Sequence, residues 1–109
     1  MITITILKEK SGNIIGLHTL GHAGFAEYGE DIVCAAVSML VINTINSLDI
    51  LLRESFECTQ DEEKGIINLH FNQIPSDNAK LLMDSMILGL KEVKKQYGKK
   101  YILLKFEEV

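Results

Sequence analysis

His22 and Cys34 stand twelve positions apart, and Asp31 and Ser38 flank the cysteine three residues before and four after. An imidazole and a thiol are what nucleophilic acyl transfer needs: sulfur attacks a carbonyl, and the ring takes the thiol proton and later returns it to the leaving group. The residues between them, within "GHAGFAEYGEDIVCAAVS" (Gly21 to Ser38), include Gly24 and Gly29, and Gly21 precedes His22. Glycines admit backbone angles that other residues resist, so this segment reads as a loop able to reorganise. Phe25 and Tyr28 are placed to cover a closed site or to touch an aromatic substrate side chain, which makes the loop a candidate lid.

A helix beginning at Asp31 or Glu30 and running to about Glu54 would put Cys34 in its first turn. Unpaired amides and the positive dipole end there favour the thiolate, and the same amides are candidates for an oxyanion hole. Ala23, Ala35 and Ala36 are small enough for a substrate backbone to approach closely. The ordinary alternative is that a cysteine in an apolar helix is a small buried hydrophobe and a histidine after a strand a surface residue. The spacing alone does not decide between them.

The remaining elements follow from periodicity. Ile2, Ile4 and Ile6 alternate with Thr3 and Thr5 over Met1 to Lys8, "KSGN" supplies a turn, and Ile14 to Leu20 returns as the second strand of a hairpin. "SFECTQ" and "GIINLHF" predict a second hairpin turned by "DEEKG" (Asp61 to Gly65), a solvated turn. Pro75-Ser76-Asp77 opens a second helix with Ser76 as N-cap. Leu82, Met83, Met86, Ile87, Leu90 and Val93 keep helical spacing on its buried side, Lys94 and Lys95 suit its last turn, and Gly98 closes it. Tyr101 to Phe106 is the closing strand. The order ββα-ββα-β predicts an α+β fold, a mixed sheet of about five strands covered by two helices, in a single domain over residues 1–109.

Ile32, Val33, Val37, Met39, Leu40, Val41, Ile42 and Ile45 leave the first helix apolar nearly all round. One sheet covers one face, so a second subunit on the other, a homodimer, is expected. The net charge of −4 argues against direct nucleic-acid binding. No stretch resembles a signal peptide, and the apolar run within Ile32 to Ile42 is too short for a membrane span, so a cytoplasmic protein is expected. In that reducing setting Cys34 and Cys58 read as free thiols. His18, His22, Cys34 and Cys58 lack the spacing of a zinc site, and His18 and His70 lie on strands with no metal-ligand partner, so neither metal nor cofactor is implied.

The stretch from Gly21 to Ser38 resembles the signature of the ribosomal-processing cysteine protease (Prp) family: G-H-A, a short loop, then Y-G-x-D-I-V-C-A-x-x-S. It is matched at Gly21, His22, Ala23, Tyr28, Gly29, Asp31, Ile32, Val33, Cys34, Ala35 and Ser38. Chain length and strand–helix order also fit. Gly24-Phe25 stand where some relatives carry an acidic or polar residue, a difference in loop character. The resemblance implies an endopeptidase that removes the N-terminal extension of a large-subunit ribosomal protein, cutting after an aromatic residue and before a small one. It makes Cys34 the nucleophile, His22 the general base and acid, and Asp31 and Ser38 supporting positions. Asp31 fits a helix cap, a partner for His22, or both, and Ser38 fits a bond near the thiol or one back to its own helix; sequence does not separate these roles. A rival reading is a non-catalytic ribosome-assembly adaptor that holds a peptide in the same cleft.

Overall fold

A computed structural model describes residues 1–24, 26–27 and 31–109. The strands are β1 (Ile2–Lys8), β2 (Ile14–Leu20), β3 (Phe56–Asp61), β4 (Ile66–Phe71) and β5 (Ile102–Glu108), and the helices α1 (Ile32–Ile50) and α2 (Asp77–Tyr97). The expected ββα-ββα-β order is therefore the order observed.

The strands form one sheet in the order β3-β4-β2-β1-β5. β1 pairs in parallel with β5, and every other neighbouring pair is antiparallel. β2 and β3 both run antiparallel to β4, so they point the same way and α1 is the crossover between them; α2 likewise joins the co-directional β4 and β5. The two-residue period of β1 sends Ile2, Ile4 and Ile6 to the helical side, where they are almost completely buried. Val33, Val37, Val41, Ile45 and Leu48 of α1 meet them there, with Ala79, Met83, Met86, Ile87 and Leu90 of α2. Leu82 and Val93, also expected on the buried side of α2, lie at its half-buried margin. The two helices touch where Gly89 has no side chain: a methyl there would come within 2.8 Å of Leu40.

α1 stops sooner than its apolar run suggests. Arg53 takes a left-handed conformation (φ 53°), and the Arg53 and Glu54 amides turn back to the Asp49 and Leu48 carbonyls, so the chain leaves the helix before Glu54. At its full length the helix is long and apolar enough to cross a membrane, but its buried stripe packs into the core. Ile32, Met39, Ile42 and Ile50 remain on its outer surface, with Met39 69% exposed. α2 begins as expected, with the Ser76 hydroxyl accepting the Ala79 amide, and ends at Gly98 (φ 102°), whose N–H caps the Lys94 carbonyl.

Candidate active site

The site forms where β2 ends, α1 begins and the β3–β4 hairpin turns. Asp31 caps α1 from an extended conformation; its Oδ1 accepts the Cys34 amide at 2.9 Å, and its carbonyl accepts the Ala35 amide at 3.0 Å. The structure shows Asp31 in the capping role, and the residue is only 8% exposed. The Cys34 and Ala35 amides are thereby committed to Asp31, which removes two of the donors expected for an oxyanion hole.

His22 sits two residues beyond β2. Its Nδ1 lies 3.5 Å from Cys34 Sγ, and its Nε2 lies 2.9 Å from the Glu63 carbonyl oxygen. A carbonyl oxygen can only accept, so Nε2 carries the hydrogen and Nδ1 is the basic nitrogen turned toward sulfur. The segment holding His22 is anchored on both sides. The Gly21 amide donates to the Lys64 carbonyl at 3.1 Å, and Ala23 is buried in the core at 2% exposure. Gly24 is exposed with φ 75°. Phe25, Tyr28 and Gly29, the remainder of the candidate lid, fall outside the described residues, as does Glu30.

A cavity of about 540 Å³ opens beside the thiol. Val37, Val41 and Ile42 of α1 and Ile66 and Ile67 of β4 make much of its wall apolar, and Gln60, Asp61 and Glu62 bring the hairpin turn to its edge. Its size and apolar wall suit a side chain or short peptide. Ser38, one turn beyond Cys34, also lines it. The "DEEKG" turn, expected to be merely solvated, thus reaches the site, and it does so through main-chain carbonyls. No side-chain type announces such a contact; Gly65 was the only trace, and it reads as an ordinary turn glycine.

The other candidate residues lie apart from this centre. His18 Nδ1 contacts Asn68 Oδ1 across β2 and β4, and His70 is exposed on β4. Among the described residues no group of three His, Cys, Asp or Glu side chains is arranged to hold a metal ion. Cys58 is half-buried on β3, paired in register with Leu69, and burial pushes its thiol pKa up. The two free thiols should therefore differ in reactivity. Iodoacetamide at neutral pH is expected to modify Cys34 well before Cys58, with Cys58 reacting only as the pH is raised. Peptide mapping that found Cys58 modified first at neutral pH would contradict this geometry.

Residues 1–102 match the model of the family described as cysteine protease Prp. The ribosomal processing cysteine protease Prp of Bacillus subtilis is 32% identical over 103 residues, covering 89% of this chain and 90% of that protein. The crystal structure of the Staphylococcus aureus essential ribosomal processing protease Prp with a covalently linked product peptide superposes with a TM-score of 0.91 at 28% identity, covering 98% of this chain and all of the other. A second S. aureus structure, in complex with a substrate peptide, gives a TM-score of 0.86 at 27% identity, again over 98% of this chain and all of the other. A cavity-side thiol facing an imidazole, on a sheet and helices that superpose over nearly their whole length, agrees with that match: the chain belongs to the Prp family of cysteine proteases.

Proposed function

We propose that this protein is a cytoplasmic endopeptidase that removes the N-terminal extension of a large-subunit ribosomal protein, with Cys34 as nucleophile and His22 as general base and acid. The observation that carries the reading is the 3.5 Å approach of His22 Nδ1 to Cys34 Sγ beside the cavity. The relatives named as ribosomal processing proteases, one of them bound to a substrate peptide, support the choice of substrate. In the first half-reaction Nδ1 takes the Sγ proton as sulfur attacks the scissile carbonyl carbon, and then gives that proton to the leaving amine, leaving a thioester. In the second, Nδ1 takes a proton from water, hydroxide displaces sulfur, and the proton returns to Sγ as the carboxylic product departs.

The supporting residues follow from their positions. Asp31 holds the first turn of α1 and so the height of the thiol, and Ser38 faces the substrate space beside it. Val41, Ile42, Ile66 and Ile67 suit an aromatic side chain before the cut, and Ala35 at the cavity edge leaves room for a small residue after it. The working unit is a homodimer that covers the outer face of α1, where Ile32 and Met39 are exposed.

Two experiments test these readings. A synthetic peptide spanning the ribosomal protein's N-terminal extension should be cut once, after an aromatic residue. Cys34→Ala should lose more than about 10⁴-fold in kcat while still binding the peptide. Persistent cleavage by that variant would refute the assignment. Light scattering should give twice the 12.2 kDa chain mass, falling to one chain mass for Met39→Asp; a wild-type protein of one chain mass at micromolar concentration would remove the dimer.

A further inference from the structure

The geometry points to the β3–β4 turn as a third component of the catalytic apparatus: Gly65 is a positioning residue that lets the Glu63 carbonyl hold the His22 ring with its basic nitrogen toward Cys34. This rests on the Cys34–His22 reading of the active site. In a cysteine–histidine pair the unreactive ring nitrogen needs an acceptor to fix the tautomer and the ring plane, a part commonly played by an Asp or Asn side chain. Here Nε2 meets the Glu63 main-chain oxygen at 2.9 Å.

A carbonyl can serve this way only if the turn is held rigidly against the end of β2, and Gly65 and Thr19 do so. Gly65 has φ 66°, and a methyl on it would lie 2.2 Å from the Gly21 carbonyl oxygen and 2.7 Å from its carbon. Those atoms are backbone and cannot swing aside, so only glycine lets the turn press this closely on the residue before His22. The Gly21 amide answers by donating to the Lys64 carbonyl. Within the turn, the Gly65 amide donates to the Glu62 carbonyl at 3.2 Å and the Lys64 amide to Asp61 Oδ1 at 3.2 Å. Behind it, the buried Thr19 hydroxyl donates to the Gly65 carbonyl at 3.1 Å and accepts the Ile67 amide at 3.0 Å. Thr19 thereby joins the strand that carries His22 to the turn that orients it. Displacing the turn far enough to open that 2.2 Å contact to van der Waals distance would carry the Glu63 oxygen away from Nε2 and free the ring to rotate.

The test uses the full-length chain and the peptide substrate proposed above. Gly65→Ala should lower kcat about 100-fold with KM changed by less than about twofold, because ring placement and not peptide docking is lost. Alkylation of Cys34 by iodoacetamide should slow to the rate of His22→Ala. Gly12→Ala is the control, a positive-φ glycine (φ 92°) in the β1–β2 turn with nothing within 4 Å of the added methyl; it should keep the wild-type kcat. Should Gly65→Ala not fold, Thr19→Val serves in its place, with an expected loss in kcat of about tenfold at unchanged KM. Wild-type kcat and alkylation rate in the folded variant, with at most a lowered Tm, would overturn the inference while leaving the dyad intact. Cleavage surviving in Cys34→Ala would instead overturn the dyad itself.

Discussion

The site depends on one contact, His22 Nδ1 against Cys34 Sγ. It joins the end of one strand to the start of a helix, and in the proposed mechanism neither group does acyl-transfer chemistry without the other. The helix end offers the sulfur less help than its position suggests. Asp31 places a carboxylate at that terminus and takes the Cys34 amide for itself, so much of the favourable field at the N-terminus of α1 is answered before sulfur ionises. With that amide committed, the orientation of the imidazole toward sulfur becomes the critical variable.

The sheet topology solves that problem. β4 lies between β2 and β3, and its antiparallel register with β2 sets Ile67 opposite Thr19. Continuing that register past the strand ends brings the turn before β4 beside the residues after β2, which are Gly21 and His22. The hairpin does not reach the catalytic centre through a long loop; strand pairing delivers it there. The same arrangement lets a hydroxyl on β2 tie the two elements together, through Thr19 and Gly65.

Much of this was legible in the sequence because it rests on local rules. The alternation of Ile2, Ile4 and Ile6 gave β1 its inward face, the serine of "PSD" fixed the start of α2, and Gly98 its end. His22 and Cys34 could be singled out from residue type and from the motif around them, and the structure brings them within 3.5 Å. Long-range backbone contacts were not legible. Nothing in "DEEKG" says that its carbonyls will meet an imidazole 41 residues earlier, because main-chain oxygens are the same in every residue. The capping role of Asp31 became visible only when its distance to the Cys34 amide was known. The end of α1 was overestimated because the left-handed turn that stops it is made by Arg53, a residue type that ordinarily continues a helix.

Nitrogen-15 NMR of the His22 ring in the resting protein addresses the central point most directly. The account predicts a neutral ring whose hydrogen sits on Nε2, against the Glu63 carbonyl, with Nδ1, the atom facing sulfur, bare. A neutral ring carrying its only hydrogen on Nδ1, with Nε2 bare, could not accept the thiol proton and would contradict it.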